Sequence, residues 1–149
     1  MAFYRTQANK ATPAALDTLV HLKCSATIRA KLSEFILSSD DSPVEQTTNY
    51  QITRTTSAGT TPVTTLTIES VEPLSPTSAV TAEGDGYATE PTIGDIMMDF
   101  NVHQKATYRW VAYPGREIHS VAAANNGLAM AIIAQTAAYA ISSCFEWSE

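Results

Sequence analysis

The feature that most constrains the fold is an alternation from 95 to 103, in which every second residue is apolar. The alternating apolar residues are Ile96, Met98, Phe100 and Val102, and the positions between and beside them are polar except for Met97. A period of two places alternate side chains on opposite faces of a β-strand, so one face of this segment is predicted to be buried. Shorter alternations at 20–24, 28–32 and 106–113 extend the same prediction to much of the chain.

Composition supports an all-β chain. Threonine supplies about one residue in seven, and charged residues make up 16% against roughly 25% in an average soluble domain. Threonine is β-branched and suits the half-wet face of a strand, whereas long solvated helices need more Glu, Lys and Arg. A length of 149 residues fits one domain. We therefore expect a single β-sandwich, jelly-roll-like, with about eight antiparallel strands.

The chain divides into two predicted parts. Residues 1–15 show no sustained period and contain Pro13, so they are predicted to form an extended N-terminal arm outside the domain. Residues 16–149 form the β-sandwich domain, with a long Pro- and Gly-containing loop at 73–95. The Ala-rich stretch 129–140 favours helix by propensity, but alternation on both sides of it favours strand, and both alternatives stay open.

Aromatic residues in the alternating segments predict the core. We expect Ile96, Phe100, Trp110 and Phe145 to lie on buried faces. Arg109 lies between two aromatic residues, but strand neighbours point to opposite faces, which argues against a base-stacking site.

Charge and hydropathy make two classes of partner unfavourable. Nine Lys and Arg residues against fifteen Asp and Glu residues give a net charge of −6, which opposes nucleic-acid binding because that binding depends on phosphate neutralisation. The longest uncharged apolar run is interrupted by Asn and Gln and does not suit a membrane span. The expected partners therefore include no nucleic acid and no membrane.

Residues that could carry chemistry are scattered. His21, His103 and His119 lie in different predicted strands and are expected to face solvent, and Cys24 and Cys144 are expected to be buried thiols. The acidic group at 83–86 lacks the ligand spacing of a calcium loop. No nucleophile motif such as GxSxG is present. We expect no catalytic residue, no metal and no cofactor.

Several segments together resemble a known family. The segments NVHQKATYRWVAYPGREI, ANNGL and CFEWSE, with an early hairpin in KLSEFILSS and QITRTTSAGT, are similar to small capsid decoration or cement proteins of tailed bacteriophages. The resemblance implies a compact β-domain that clusters as a homo-oligomer, usually a trimer, on the capsid exterior of the virion after assembly in the host cytoplasm. It also implies that the partner is the major capsid protein.

The N-terminal arm is the expected docking element. Phe3 and Tyr4 would supply apolar contact and Arg5 and Lys10 positive charge towards an acidic shell. Deleting residues 1–12 should then leave the domain folded and weaken attachment. Two other functions remain: a receptor- or carbohydrate-binding module of a phage fibre, favoured by aromatics exposed on one face, and a small β-fold enzyme, favoured by a convergent polar pocket.

Overall fold

A computed structural model describes residues 1–41, 43–61, 63–135 and 137–149. Every regular element in these ranges is a β-strand. The strands are β1 (Phe3–Lys10), β2 (Thr18–Lys23), β3 (Lys31–Asp41), β4 (Thr47–Thr55), β5 (Thr64–Thr65), β6 (Ile68–Ser70), β7 (Thr81–Gly84), β8 (Ile93–His103), β9 (Tyr108–Val111), β10 (Ile118–His119), β11 (Gly127–Ala134) and β12 (Ala140–Ser148).

The strands form two antiparallel sheets that pack against each other. Sheet A has the order β10-β3-β12-β1-β6, with β9 also paired to β3. Sheet B has the order β5-β7-β2-β11-β4-β8. The predicted all-β sandwich is confirmed. The described part of the chain has more strands than the expected eight because several short strands, such as β5 and β10 with two residues each, carry too little periodicity to be recognised.

The core lies between the two sheets. Phe145 and Trp147 on β12 are fully buried, as are Leu22 on β2 and Tyr50 on β4. The prediction for Phe145 is therefore confirmed. Phe100 and Trp110 are half-buried and pack on the edge of this core, each with its ring centroid 5.5 Å from that of Phe35.

The prediction that Ile96 lies in the core is wrong, because 55% of its surface is exposed. Met98 pairs with Ile52 of β4, but the next residue of β4, Thr53, pairs with Ile96. Met97 is thus an extra residue, and a β-bulge of this kind reverses the alternation beyond it. Ile96 therefore does not share the face of Met98.

Residues 1–15 do not form a separate arm. Phe3–Lys10 are extended, as expected, but they form β1 between β12 and β6. Tyr4, Thr6 and Ala8 face the core, which provides the burial that holds the strand in place. Deletion of residues 1–12 would remove an interior strand of sheet A, so the expectation that the domain folds without them is corrected to an expectation of unfolding.

Two other predicted segments have a different outcome. The predicted loop at 73–95 is divided by strand β7 at 81–84, and β8 already begins at Ile93. The Ala-rich stretch is strand at 129–134 and again at Ala140, and Thr136 lies outside the described residues. Its pairing with β2 and β4 explains why helix propensity does not decide its structure.

Candidate docking surface

The predicted docking residues do not form one surface. Tyr4 is only 2% exposed, and its hydroxyl donates a hydrogen bond to the carbonyl oxygen of Pro76 at 2.9 Å, so its prediction as a docking residue is wrong. Burial raises the pKa of this phenol, with the Glu149 carboxylate adding to the effect. Lys10 Nζ lies 2.7 Å from Asp17 and 2.6 Å from Asp85, so its charge is already compensated within the domain.

Phe3 and Arg5 lie on different parts of the surface. Phe3 is half-buried at one end of sheet A, where Phe3 pairs with Ser148, Ser148 with Lys31, and Lys31 with His119. Arg5 is exposed on the outer face of that sheet.

Phe3 belongs to an end of the sandwich that we call the loop end. The loop end comprises Met1–Phe3, residues 24–31, 71–80 and 112–126, and Glu149. Backbone hydrogen bonds join these segments, from Val71 to Phe3, from Cys24 to Asn126 and from Ser120 to Ala30. A surface groove of about 250 Å³ runs between the N-terminus and the turn that connects β9 with β10. It is lined by Met1, Phe3, Lys31, Gly115, Glu117, His119 and Ser148.

Large apolar side chains are exposed at the loop end. They are Met1, Val71, Leu74, Tyr113 and Val121. Leu74 is fully exposed and has a φ of 68°, and Tyr113 is 82% exposed. Tyr113 begins a turn in which the Arg116 N–H donates to its carbonyl oxygen at 2.8 Å. Grouped exposed apolar side chains are typical of interaction surfaces.

The loop end also carries cations without a carboxylate partner. Arg29, Lys31 and Arg116 form no salt bridge with any described residue, whereas the other lysines and Arg54 and Arg109 each do. Two acids of the loop end are bound to backbone. The Glu117 carboxylate accepts a hydrogen bond from the Gly115 N–H, and backbone hydrogen bonds lower the pKa of Glu117. The Glu149 carboxylate accepts hydrogen bonds from the N–H groups of residues 79 and 80. Arg116, which has no carboxylate partner among the described residues, therefore lies in the same turn as exposed Tyr113.

Sequence reasoning missed most of this surface. Leu74 and Tyr113 do not alternate with apolar neighbours, and each lies in a Pro-containing turn. A large apolar residue beside proline in a predicted turn is the signal that could have found them, because turns are seldom buried.

Arg5 lies between two shallow polar clefts on the outer face of sheet A. One, of about 400 Å³, is bounded by β1 and residues 65–69, and the other, of about 280 Å³, by β1, β3 and β12. Exposed Gln7 and Asn9 line both clefts. Arg5 Nη2 lies 3.9 Å from Cys144 Sγ. The clefts offer hydrogen-bonding groups from amide, hydroxyl and guanidinium side chains.

The histidines and cysteines differ partly from expectation. The prediction that His21 faces solvent is wrong: it is fully buried on the outer face of sheet B, where Nε2 is 2.9 Å from Thr55 Oγ1. The Tyr87 hydroxyl lies 3.5 Å from Glu83 Oε2, and Glu83 is the cross-strand neighbour of His21. Cys24 is buried and 2.9 Å from Ser120 Oγ, whereas Cys144 is partly exposed.

Comparison with known proteins assigns the chain to no family, since no family model, curated protein or solved structure matches it. Within the described ranges, no three His, Cys, Asp or Glu side chains are grouped as metal ligands would be. None of the described residues belongs to a helix that could cross a membrane.

Proposed function

We propose that the chain is a structural protein of a phage virion that decorates and cements the outside of the capsid, with the loop end docking on the major capsid protein. The sequence resemblance supports the setting, and the loop end supports the docking surface. Many copies bound across a lattice would stabilise the head, because individually weak attachments add together when they are linked.

The observation that carries this proposal is that exposed Leu74 and Tyr113 lie at the same end of the sandwich as three cations. These cations, Arg29, Lys31 and Arg116, form no salt bridge with any described residue. Burying an apolar side chain of this size contributes about 1.5–3 kcal/mol. Cations at the rim speed encounter with an acidic surface and are screened by salt. The combination suits a partner that is acidic and has apolar pockets.

Cosedimentation with empty shells assembled from the major capsid protein of the same genome tests the proposal. Tyr113→Ser should weaken binding at least about tenfold, or about 1.4 kcal/mol. Arg116→Glu should slow association and reduce the salt dependence of binding. The matched control is Leu16→Ser, because Leu16 is similarly exposed but lies at the opposite end of the sandwich. Shell binding that survives both loop-end variants unchanged would exclude this docking surface.

A second candidate function rests on the clefts beside Arg5. Amide and hydroxyl groups at Gln7, Asn9 and Ser142 could hydrogen-bond the hydroxyls of a sugar, as in a carbohydrate-binding module of a phage fibre. A glycan array probed with the full chain and with Gln7→Ala tests it. Binding of a glycan by the native chain and its loss in the variant would favour this function over capsid decoration.

A further inference from the structure

The smaller of the two clefts beside Arg5 contains a cation and no acid. This cleft, of about 280 Å³, is lined by Arg5 and otherwise by neutral residues. The larger cleft, of about 400 Å³, is also lined by Glu69, whose carboxylate would repel a bound anion. The smaller cleft is therefore the one that suits a negatively charged ligand.

The pairing of three strands arranges the side chains of the smaller cleft in two rows. Alternate residues of a strand point to the same face, and neighbouring strands lie about 4.8 Å apart. The rows therefore form a surface about 10 Å wide across β1, β12 and β3 and about 7 Å long along the strands. One row is Gln7, Cys144 and Ile36, and the other is Asn9, Ser142 and Ser38.

Arg5 is the charged group of this surface, and its guanidinium has no carboxylate partner. Arg5 Nη2 lies 3.9 Å from Cys144 Sγ, and Arg5 forms no salt bridge with any described residue. On the same face, Arg109 instead donates two hydrogen bonds of 2.8 Å to the Glu34 carboxylate. The planar guanidinium of Arg5 is thus available to bind two oxygen atoms of an anionic ligand.

The neutral side chains of the cleft offer hydrogen bonds of both kinds. Ser142 Oγ donates to Asn9 Oδ1 at 2.6 Å, which leaves the Asn9 amide N–H groups to donate and the Ser142 oxygen to accept. Ser38 adds a second hydroxyl group, and half-buried Ile36 adds an apolar surface. A sugar ring carries both hydroxyl groups and C–H groups, so it matches this mixture.

We propose that the smaller cleft binds an acidic sugar, with its carboxylate or sulfate group on Arg5 and its hydroxyl groups on Asn9 and Ser142. The inference rests on the second candidate function, because it specifies which sugars the clefts would bind. Charged hydrogen bonds are about twice as strong as neutral ones, so Arg5 favours an acidic sugar over a neutral sugar of the same shape.

The cleft has no aromatic ring on which a sugar could stack. Each attachment is therefore expected to be weak. Several copies bound to one glycan-covered surface would add their affinities, because linked attachments reinforce each other.

An array of neutral, uronate-containing, sialylated and sulfated glycans, probed with the full chain, tests the proposal. The native chain should bind acidic glycans at least about tenfold more strongly than neutral glycans of the same backbone. The carboxylate-bearing and sulfate-bearing glycans show which of the two anionic groups Arg5 accepts. Arg5→Gln should remove the preference for acidic glycans, and Arg5→Lys should restore only part of it, because an ammonium group lacks the planar set of donors.

Arg109→Gln is the matched control, because it removes an exposed cation from the same face but outside the cleft and should keep the preference. Alkylation of Cys144 by iodoacetamide gives a second measurement, since a bound acidic glycan should slow it.

The outcomes separate this inference from the function on which it rests. Equal binding of acidic and neutral glycans overturns the inference and leaves the second candidate function standing. A preference for acidic glycans that persists in Arg5→Gln also overturns the inference. The absence of any glycan binding overturns both.

Discussion

Acid should destabilise this protein through His21. Burial lowers the pKa of His21 from the ordinary 6.5 to about 4, and the neighbouring Lys23 charge adds to the effect. Nε2 is placed to bond Thr55, whereas Nδ1 has no hydrogen-bond partner among the described residues. A second proton on the ring would therefore add a buried charge and a donor without an acceptor.

The direction and the size of this change in folding stability follow from proton binding at His21. Between pH 6.5 and pH 4 the unfolded chain takes up a proton at His21 that the folded chain does not, so stability falls as the pH falls through this window. A pKa that drops from 6.5 to about 4 on folding corresponds to a loss of about 3 kcal/mol once the pH is below 4. That is a large share of the roughly 5–15 kcal/mol typical of a domain.

Urea unfolding at pH 7 and pH 4.5 measures the effect. Carboxylates also titrate in this range, so the quantity to compare is the change in unfolding free energy of the native chain against that of His21→Gln, which keeps a donor near Thr55 without a titrating ring. The native chain should lose about 2–3 kcal/mol more than the variant. His119→Gln is the control, because His119 is half-exposed and should show no such difference.

Equal losses in the native chain and in His21→Gln would refute the argument. If the variant does not fold, an NMR titration of the native imidazole gives the answer directly, and a midpoint near 6.5 for His21 would be equally decisive.

Three further predictions concern packing and anchoring. Phe145→Ala should lower the unfolding free energy by about 3–5 kcal/mol, and Trp110→Ala should lower it by less because Trp110 is only half-buried. Urea unfolding measures both losses, and a larger loss for Trp110→Ala than for Phe145→Ala would contradict the described core. Gly127→Ala should prevent folding at 37 °C by circular dichroism, because a Cβ would overlap a carbonyl oxygen of β2; a native spectrum would contradict this. Glu149→Gln should speed amide exchange at 79–80 at least about tenfold without altering global unfolding, since charged hydrogen bonds contribute about 1.5–3 kcal/mol. Unchanged exchange would show that the carboxylate does not anchor the loop.

The β8 strand shows how far alternation predicts structure. Its existence and most of its length followed from the sequence, because a period of two is unambiguous over nine residues. The error at Ile96 comes from the bulge at Met97, which depends on pairing with β4 and has no local signature. Periodicity thus located the strand but could not establish which face each end of it buries.

The prediction that residues 1–15 form an arm outside the domain was wrong for a different reason. Tyr4, Thr6 and Ala8 are buried and do alternate with exposed residues such as Arg5. Because Thr and Ala are only weakly apolar, this alternation gives no clear hydrophobic period in the sequence. Strand β1 is stabilised by its place in sheet A, because β12 pairs with one of its edges and β6 with the other. His21 is similar: the residues it lies against, Thr55 and Gly127, belong to strands that are distant from it in the chain.

Leu74 allows docking to be separated from stability. A leucine with a φ of 68° occupies the left-handed region at a cost of about 1–2 kcal/mol, and its full exposure means that no packing within the chain offsets this cost. Leu74→Asn should leave the melting temperature unchanged or raise it, because asparagine tolerates this conformation. The same variant should weaken shell binding about tenfold or more, because a buried leucine contributes about 1.5–3 kcal/mol. A melting temperature that falls by several degrees would show that the side chain packs within the domain, and shell binding equal to that of the native chain would remove Leu74 from the docking surface.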